Sequence, residues 1–294
     1  MCRFAVFTAI IGGYDNICDP VVIDKDFDYY LFTDHVVSES VGVWKVRQVQ
    51  YQNEDPIRIA RYVKTHPEEL LPGYNATLWM DANLQIADSY LYEEVRSLEM
   101  SEIQVASVQH PFRDCAYHEA YVVSELRFEH SSLTIRWCRH LWRNGYPLHE
   151  GLFETNIFYR KRSAIVALFD EAWWHSIESF SKRDQLSCNF CLWKNHVPLG
   201  FLLPQGTHAR NTGHVNYMQH GQKSQRKFLR VGLSERVRLH VWRLLPNYSY
   251  WSFLMLRKTL FPSFFLFLWG WLSSIAAFPV WLFQKCRKLI SSDN

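Results

Sequence analysis

The stretch that decides the fold is Tyr74-Asn75-Ala76-Thr77-Leu78-Trp79-Met80-Asp81-Ala82-Asn83-Leu84-Gln85-Ile86. The apolar run 76–80 follows Pro72-Gly73, a pattern typical of a buried strand entered from a turn. The strand ends on Asp81, with an amide at Asn83. Because ligands of open α/β sheets bind beyond the carboxyl ends of strands, these two side chains are candidate oxygen ligands for Mg²⁺ or Mn²⁺. A turn that closes a hairpin over 80–84 explains the same residues equally well.

Composition allows one large α/β domain or two small ones, because 48% of the 294 residues are hydrophobic and 16% are aromatic. The net charge is only +3, but residues 226–258 hold eight Lys or Arg against a single acid, Glu235. This asymmetry favours an anionic lipid surface as a partner over an acidic soluble substrate. We expect no nucleic-acid partner.

The cysteines predict a reducing environment. Seven are scattered along the chain, and the one close pair, Cys188 and Cys191, has no second pair or histidine at zinc-finger spacing. Buried cysteines on a helix are therefore expected there. We also expect no signal peptide or anchor before the first strand at Phe4, which places the protein in the cytoplasm.

The first apolar runs of the chain predict strands that end on glycine or polar residues. Residues 4–11 form a near-continuous apolar run that predicts a strand buried on both faces, and residues 28–34 and 44–49 predict two more. Gly12 and Gly13 end the first strand, where they would let the backbone pass close to a ligand. A tight turn is the simpler interpretation, since no GxGxxG pattern is present.

A helix starts at Pro56 and carries Arg58, Arg61 and Lys64 three residues apart. This spacing puts the three cations in one stripe. The stripe suits either a diphosphate, through bidentate Arg contacts, or an ordinary solvated face.

Later segments repeat the arrangement of a strand followed by polar residues. A strand over 104–108 is followed by His110, Arg113 and a helix from about Cys115 that carries Glu119. A strand over 151–160 places Glu154 and Asn156 on the same face. Helices are predicted over 88–100, 131–144 and 163–175. A last helix opens at Ser181, which with Asp184 fits a capping box.

Several of these motifs, in this order, resemble the TOD/MUCI-type glycosyltransferase-like domain over residues 4–215. They are Phe7-Thr8-Ala9-Ile10-Ile11-Gly12-Gly13-Tyr14-Asp15, Phe32-Thr33-Asp34, Ala60-Arg61-Tyr62-Val63-Lys64, Leu78-Trp79-Met80-Asp81-Ala82-Asn83, His110-x-x-Arg113-Asp114-Cys115-x-Tyr117-x-Glu119-Ala120, Glu154-x-Asn156, Trp173-Trp174 and Arg183-Asp184-Gln185-Leu186-Ser187. The family includes plant Golgi proteins tied to cell-wall polysaccharides and bacterial proteins of surface-polysaccharide clusters.

The resemblance implies a GT-A-like (Rossmann-like) fold, with a mixed, mainly parallel sheet flanked by helices, and a glycosyltransferase that uses a nucleotide sugar, a UDP-sugar in our interpretation. It implies roles by position. The metal ligands are Asp81, Asn83 and, from a late loop, His208. The nucleotide-sugar-binding residues are Thr8, Tyr14, Asp34, Arg61, Lys64, His110 and Arg113. The catalytic residues are Glu154 as the base for the acceptor hydroxyl, with Asp184 and Gln185 contacting the donor.

Two departures from the family pattern matter. The metal motif is Asp-Ala-Asn, which lacks one carboxylate of the usual pair, and the N-terminal anchor of the Golgi members is not expected here. A plant member has been linked to ceramide cleavage, so a ceramidase-like hydrolase stays open. A non-catalytic glycan-binding or scaffold protein is the third class.

The C-terminal part predicts membrane attachment. Residues 259–283 contain no charge and, as a helix, are long enough to cross the hydrocarbon core. Basic residues flank both ends, and Pro262, Gly270 and Pro279 interrupt the segment. We expect a hydrophobic helical segment that dips into the cytoplasmic leaflet of the cell (inner) membrane with both ends inside, near a glycan or lipid-linked acceptor; a single-pass span and a helix docked on the protein's own core are the alternatives. The predicted organisation is a domain over 1–225, a basic membrane-proximal segment over 226–258, the hydrophobic segment over 259–283 and a basic tail over 284–294.

Overall fold

Eight strands form one mixed sheet in a computed structural model that describes residues 3–36 and 38–218 and the isolated positions 232, 236, 239, 240 and 242. The strands are β1 (Phe4–Ile10), β2 (Phe27–Thr33), β3 (Ser40–Val41), β4 (Trp44–Gln48), β5 (Ala76–Met80), β7 (Val105–Gln109), β8 (Phe153–Lys161) and β9 (Leu199–Phe201). A separate two-stranded ribbon pairs β6 (Leu84–Ile86) with β10 (Val215–Tyr217) in antiparallel fashion. The predicted α/β class is confirmed.

The helices lie mainly between successive strands. They are α1 (Pro56–Thr65), α2 (Pro67–Leu70), α3 (Tyr90–Glu99), α4 (Ala116–Glu125), α5 (Ser131–Arg143), α6 (Ala164–Ser179) and α7 (Asp184–Lys194). Local chemistry fixes two of the starts. The Asp55 side chain accepts from the Ile57 amide ahead of Pro56, and the Ser163 side chain accepts from the Val166 amide at the start of α6.

The order of the sheet is β3-β4-β2-β1-β5-β8-β7-β9. Strand β1 is parallel to both of its neighbours, β2 and β5, whereas β8 runs antiparallel between β5 and β7. The chain therefore leaves β1 toward one side of the sheet and returns through β5 on the other. Such a reversal opens a crevice beyond the carboxyl ends of β1 and β5, which is where α/β sheets bind ligands.

The two faces of the sheet bury different side chains. Leu78 and Met80 of β5 join the apolar cluster that also contains Leu91 of α3. On the opposite face the Trp79 ring meets the Phe7 ring at 5.3 Å, and Phe158 packs against Trp173 at 5.0 Å. Strand β5 is buried at every position, as its apolar run predicts.

The structure corrects two local expectations. The residues after Asp81 do turn, but the turn does not close a hairpin, because β6 pairs with β10 rather than with β5. No capping box forms at α7, because Ser181 Oγ accepts from the Arg183 amide and Asp184 is already the first helical residue. Cys188 and Cys191 are buried on α7, as predicted.

The contacts divide the chain into two units. The first comprises 1–120 and 143–227, and the second comprises 121–142 and 228–294. The sheet and every predicted site residue belong to the first unit. No helix in the part of the chain that the structure describes is both long and apolar enough to cross a membrane. The predicted segments 259–283 and 284–294, and nearly all of 226–258, lie outside the described residues, so these assignments stay predictions.

Candidate functional site

A glycine turn lies at the crevice end of β1. Gly12 and Gly13 have φ values of +67° and +63°, in the region that favours glycine, and open space surrounds the position of a Cβ at either residue. The Asp34 carboxylate, at the end of β2, accepts from the Gly12 amide at 3.0 Å and so fixes the turn. Tyr14 follows with 42% of its surface exposed. Two of the sequence elements predicted to hold the nucleotide, the ends of β1 and β2, therefore meet at one edge of the sheet.

Asp81 stands beside this turn at the end of β5. Trp79 Nε1 donates to Asp81 Oδ1 at 2.8 Å, and the Asp81 amide donates to the Asn156 carbonyl at 2.8 Å. Within the described residues Oδ2 accepts no hydrogen bond, so it is available to a ligand. Asn83 is 7% exposed, and its carbonyl accepts from the Met218 amide at 2.8 Å, just beyond the ribbon.

Asp184 is the centre of a buried ion cluster on the same face of the sheet. Lys64 Nζ lies 2.5 Å from one carboxylate oxygen, which Thr155 also reaches at 3.1 Å, and Arg61 Nε lies 3.1 Å from the other oxygen. Burial alone would raise the pKa of Asp184, but the Arg61 and Lys64 charges outweigh it and hold that pKa well below its ordinary value. Asp184 is therefore an ionised carboxylate at every ordinary pH.

The cationic stripe of α1 is neither a solvated face nor an open diphosphate site. Lys64 is 1% exposed, and its ammonium lies 5.4 Å from the Trp79 ring. Arg58 Nη1 donates to the Ile177 carbonyl near the end of α6 at 2.6 Å. Arg61 keeps 19% of its side chain exposed and Arg58 is also only partly buried, so Lys64 alone among the three has no surface left for a ligand. The structure thus places Lys64 as a positioning residue for Asp184.

Strand β8 carries an irregularity next to this cluster. Its pairing with β7 jumps from Phe158 opposite Ser107 to Phe153 opposite Gln109. Within the jump, Thr155 has a φ of +27°, which is an outlier for a β-branched residue. Because β8 runs antiparallel to β5, Glu154, Thr155 and Asn156 lie at the carboxyl end of β5.

Buried polar atoms without a hydrogen-bond partner occur both at this edge and elsewhere among the described residues. Four of the thirteen belong to residues near the carboxyl end of β5: Thr8 Oγ1, Glu154 Oε2, Asn156 Oδ1 and Gln185 Nε2. A buried polar atom without a partner costs about 1–3 kcal/mol, so native proteins keep few of them without a ligand or water to satisfy them. These four atoms are therefore available to a polar ligand at this edge.

A second charged group surrounds His110 after β7. Arg113 pairs with Glu119, and its Nη2 lies 3.0 Å from His110 Nε2. Burial, with the charges of Arg113, Arg210 and His208, lowers the pKa of His110 to about 4. Arg210 pairs with Glu154, so the base predicted for the acceptor has one oxygen held by a guanidinium and the other unpaired.

The predicted metal ligands are only partly brought together. Asp81 and Asn83 share one turn, and both offer oxygen to a hard cation. The described contacts of His208 are instead with its own loop and with Phe112, whose ring lies 6.4 Å away. Among the described residues, no three Asp, Glu, His or Cys side chains cluster as a metal site. Asp81 and Asn83 fit a cation that takes its remaining ligands from a diphosphate and water.

Sequence reasoning did not single out two of these residues as functional. Asn156 was named for its alternation with Glu154 and as part of the Glu154-x-Asn156 motif, but it was given no role. Arg210 lies in an irregular loop where no spacing predicts a partner. The positive φ of Thr155 has no sequence signal, since glycine or asparagine is the residue usually found there.

Comparison with known proteins gives the family. A sequence profile of the TOD1/MUCI70 glycosyltransferase-like domain matches residues 1–203, more than half of the chain. The chain belongs to this family. Alkaline ceramidase TOD1 of Arabidopsis thaliana is 22% identical to this family member over 228 residues, which are 67% of the chain and 49% of the relative. The chain thus spans about half the length of the curated relative that it matches.

Among solved structures, the TOD1/MUCI70 domain is loosely similar to glycosyltransferases. The apo structure of the bifunctional glycosyltransferase WbbM matches with a TM-score of 0.42 and 11% identity, over 87% of this chain and 44% of that one. The galactosyltransferase LgtC, solved with donor and acceptor sugar analogues, matches with a TM-score of 0.39 and 10% identity, over 68% of this chain and 73% of that one.

Proposed function

We propose that this TOD1/MUCI70 domain transfers a sugar from a nucleotide-sugar donor, a UDP-sugar, to a glycan or lipid-linked acceptor in surface-polysaccharide synthesis. One observation carries the proposal. Asp81 and the Gly12–Gly13 turn follow the carboxyl ends of β5 and β1, the neighbouring parallel strands at which the strand order reverses, and buried polar atoms without partners lie at the same edge. That is the place where α/β sheets bind nucleotides. The family membership supports the same reaction class.

The nucleotide would bind along the end of β1. The positive-φ glycines let a ligand approach the backbone, and Asp34 holds them in that conformation. Thr8 Oγ1 would gain the partner that it lacks, and Tyr14 offers an aromatic surface for a base or sugar ring. Arg61 is partly exposed, so its guanidinium would bind the phosphates.

Asp81 and Asn83 would hold a divalent Mg²⁺ or Mn²⁺ ion. When bound, such an ion offsets the negative charge that develops on the departing diphosphate. The chain orients the first of these ligands through the hydrogen bond from Trp79 and the second through the backbone contact with Met218.

Glu154 would accept the proton of the acceptor hydroxyl through Oε2, the oxygen that is buried and unpaired. Its other oxygen is held by Arg210, which fixes the carboxylate in place. Gln185 Nε2 offers a donor to a sugar oxygen. Asp184 would position its neighbours rather than contact the donor, because both of its carboxylate oxygens are held by Lys64, Arg61 and Thr155.

The test is a thermal-shift screen across UDP-, GDP-, CDP- and CMP-sugars with Mn²⁺, followed by a transfer assay with the sugar nucleotide that stabilises most. Asp81→Ala should abolish transfer, with or without added Mn²⁺. The matched control is Asp26→Ala, which removes an aspartate from an exposed ion pair with Arg96 and should leave transfer unchanged. Full activity of Asp81→Ala would refute the site.

A hydrolase is the second candidate, favoured by the name of the Arabidopsis relative. In that case Asp81 would hold a hydrolytic water through its free oxygen rather than a diphosphate. Release of a fatty acid from ceramide without any nucleotide would favour the hydrolase, whereas stabilisation by one sugar nucleotide would favour the transferase.

A further inference from the structure

We infer that Asn156 supplies the third oxygen ligand of the cation site, beside Asp81 and Asn83. This inference deepens the proposed function and rests on it only for the identity of the site. It replaces the late-loop histidine predicted from the sequence with a residue of the central sheet.

Pairing across the sheet places Asn156 opposite Asp81. Met80 pairs with Ile157, and the hydrogen bond from the Asp81 amide to the Asn156 carbonyl, at 2.8 Å, extends this antiparallel register by one residue. Residues directly opposite each other in an antiparallel pair have side chains on the same face, with Cβ atoms about 4.5–5.5 Å apart. That separation lets two side-chain oxygens reach one ion.

The neighbouring cross-strand pair, Trp79 and Phe158, identifies the face of the sheet on which Asp81 lies. Trp79 pairs with Phe158, and both rings lie on the side that holds Lys64 and Trp173. Trp79 Nε1 reaches Asp81 Oδ1, so the Asp81 carboxylate is on this side as well. Asn156 lies on this side as well, because the register between β5 and β8 continues to the Asp81–Asn156 pair and directly opposite residues share a face, although the pairing of β8 with β7 is irregular here.

Both residues have a side-chain oxygen without a hydrogen-bond partner, as a cation site requires. Asn156 is 9% exposed, and its Oδ1 is buried without a hydrogen-bond partner. Asp81 keeps Oδ2 for a ligand, since only Oδ1 accepts from Trp79. An amide oxygen that is buried, unpaired and next to an available carboxylate oxygen is what a hard cation requires.

Charge explains why a divalent ion would bind tightly only together with a diphosphate. Asp184 faces two cations, Lys64 and Arg61, and Asp81 also lies close enough to Lys64 to stabilise its charge, so these four groups carry no net negative charge for a free divalent ion. One carboxylate and two amides bind a free divalent ion weakly, and Mg²⁺-like ions commonly complete their shell with substrate phosphates. The ion would therefore be held firmly only together with the donor diphosphate.

The test reads metal binding without any sugar transfer. Tb³⁺ prefers oxygen ligands and emits when an indole nearby is excited, and the Trp79 indole touches Asp81. The higher charge of Tb³⁺ strengthens its binding at a site that holds a divalent ion only weakly. At Tb³⁺ concentrations that saturate such a site, we expect sensitised emission from the full-length wild-type protein, which excess Mn²⁺ or Mg²⁺ displaces. Asn156→Leu should weaken Tb³⁺ binding at least about tenfold, the lower end of the loss found when even an outer-shell partner is removed.

Two further variants protect the test against misfolding and set the alternative. Asn156→Asp should tighten Tb³⁺ binding several-fold, because it adds a charge to the same position. His208→Ala should bind Tb³⁺ as the wild type does. The inference is overturned if the wild type gives no sensitised emission, if both Asn156 variants bind as the wild type does, or if His208→Ala loses as much affinity as Asn156→Leu. The predicted metal pattern without sugar transfer would refute the proposed function and leave this inference standing.

Discussion

At the residue scale, Asp184 illustrates how one carboxylate organises a site without being exposed to it. Its side chain is 5% exposed and joins α7 to α1 through Lys64 and Arg61, and to β8 through Thr155. Such a pair is costly to break, because removing one partner leaves a buried charge uncompensated. The neighbouring Gln185 and Glu154 are therefore placed by the cluster.

Asp184→Asn should lower the free energy of unfolding by about 3–5 kcal/mol, since it strands the buried Lys64 ammonium. Lys64→Met alone should cost less, because Arg61 and Thr155 still hold Asp184. The double variant should be more stable than Asp184→Asn, as an apolar side chain replaces the stranded charge. Urea unfolding of the four proteins measures the coupling; strictly additive losses would contradict the buried ion pair.

His110 makes stability depend on pH. Its pKa is about 4 in the folded protein against an ordinary value of 6.5, so between these values the unfolded chain binds more protons. The contribution of His110 is fully present above pH 6.5 and is lost as pH falls toward 4. His110→Asn keeps an acceptor for the Phe112 and Arg113 amides but cannot titrate.

Unfolding free energies measured from pH 7 to 4 should therefore fall less steeply for His110→Asn than for the wild type. Equal slopes for the wild type and His110→Asn would show that this imidazole is not kept neutral by the fold.

At the element scale, the bulge of β8 stores backbone strain where the site is built. A non-glycine residue held at an unfavourable φ costs about 1–3 kcal/mol and persists only when its surroundings impose it. Here the hydrogen bond from Thr155 to Asp184 and the resumed pairing at Phe158 impose it. The strained residue therefore lies between Glu154 and Asn156, two residues of the candidate site.

Thr155→Ser should recover part of this strain, because serine keeps the hydroxyl that reaches Asp184 and removes the branch. We expect a gain of up to about 1 kcal/mol in the free energy of unfolding. Thr77→Ser removes the same methyl group from a regular position in β5 and should instead cost about 0.8 kcal/mol. Thermal or urea unfolding compares the two; equal losses would rule out strain at residue 155.

The elements were predictable where hydrophobic pattern and punctuation agree, and unpredictable where a distant partner decides. Strand β5 was predicted with its observed bounds, and the start of α1 at Pro56 follows from proline chemistry. Spacing placed Lys64 and Arg61 on one face of a helix. It could not show that both form ion pairs with Asp184, which lies 120 residues after Lys64. The partner of β6 was unpredictable for the same reason.

At the scale of the whole molecule, the reversal of strand order gathers sequence-distant residues at one edge. Thr8, Asp34, Asp81 and Asn156 come from four different strands or their ends, and parallel or antiparallel pairing brings them to one edge of the sheet. The family resemblance predicted this set in part, because its motifs fall at strand ends.

Membrane attachment is the prediction that belongs to the entire chain. Full-length protein should sediment with membranes and require detergent for release, because residues 259–283 carry no charge and lie between basic flanks. A cysteine placed after Asn294 should stay unlabelled from outside intact cells. Release without detergent would refute attachment, and external labelling would refute the arrangement with both ends inside.

The β6–β10 ribbon lies partly beyond the segment by which the family is recognised. The family profile ends at residue 203, whereas β10 begins at Val215 and Met218 holds the carbonyl of Asn83. Arg210, which holds Glu154, also lies beyond the profile. The domain that the profile matches therefore takes two contacts of its candidate site from residues beyond position 203. A fragment that ends at residue 203 would lose the contacts that hold the carbonyl of Asn83 and the carboxylate of Glu154.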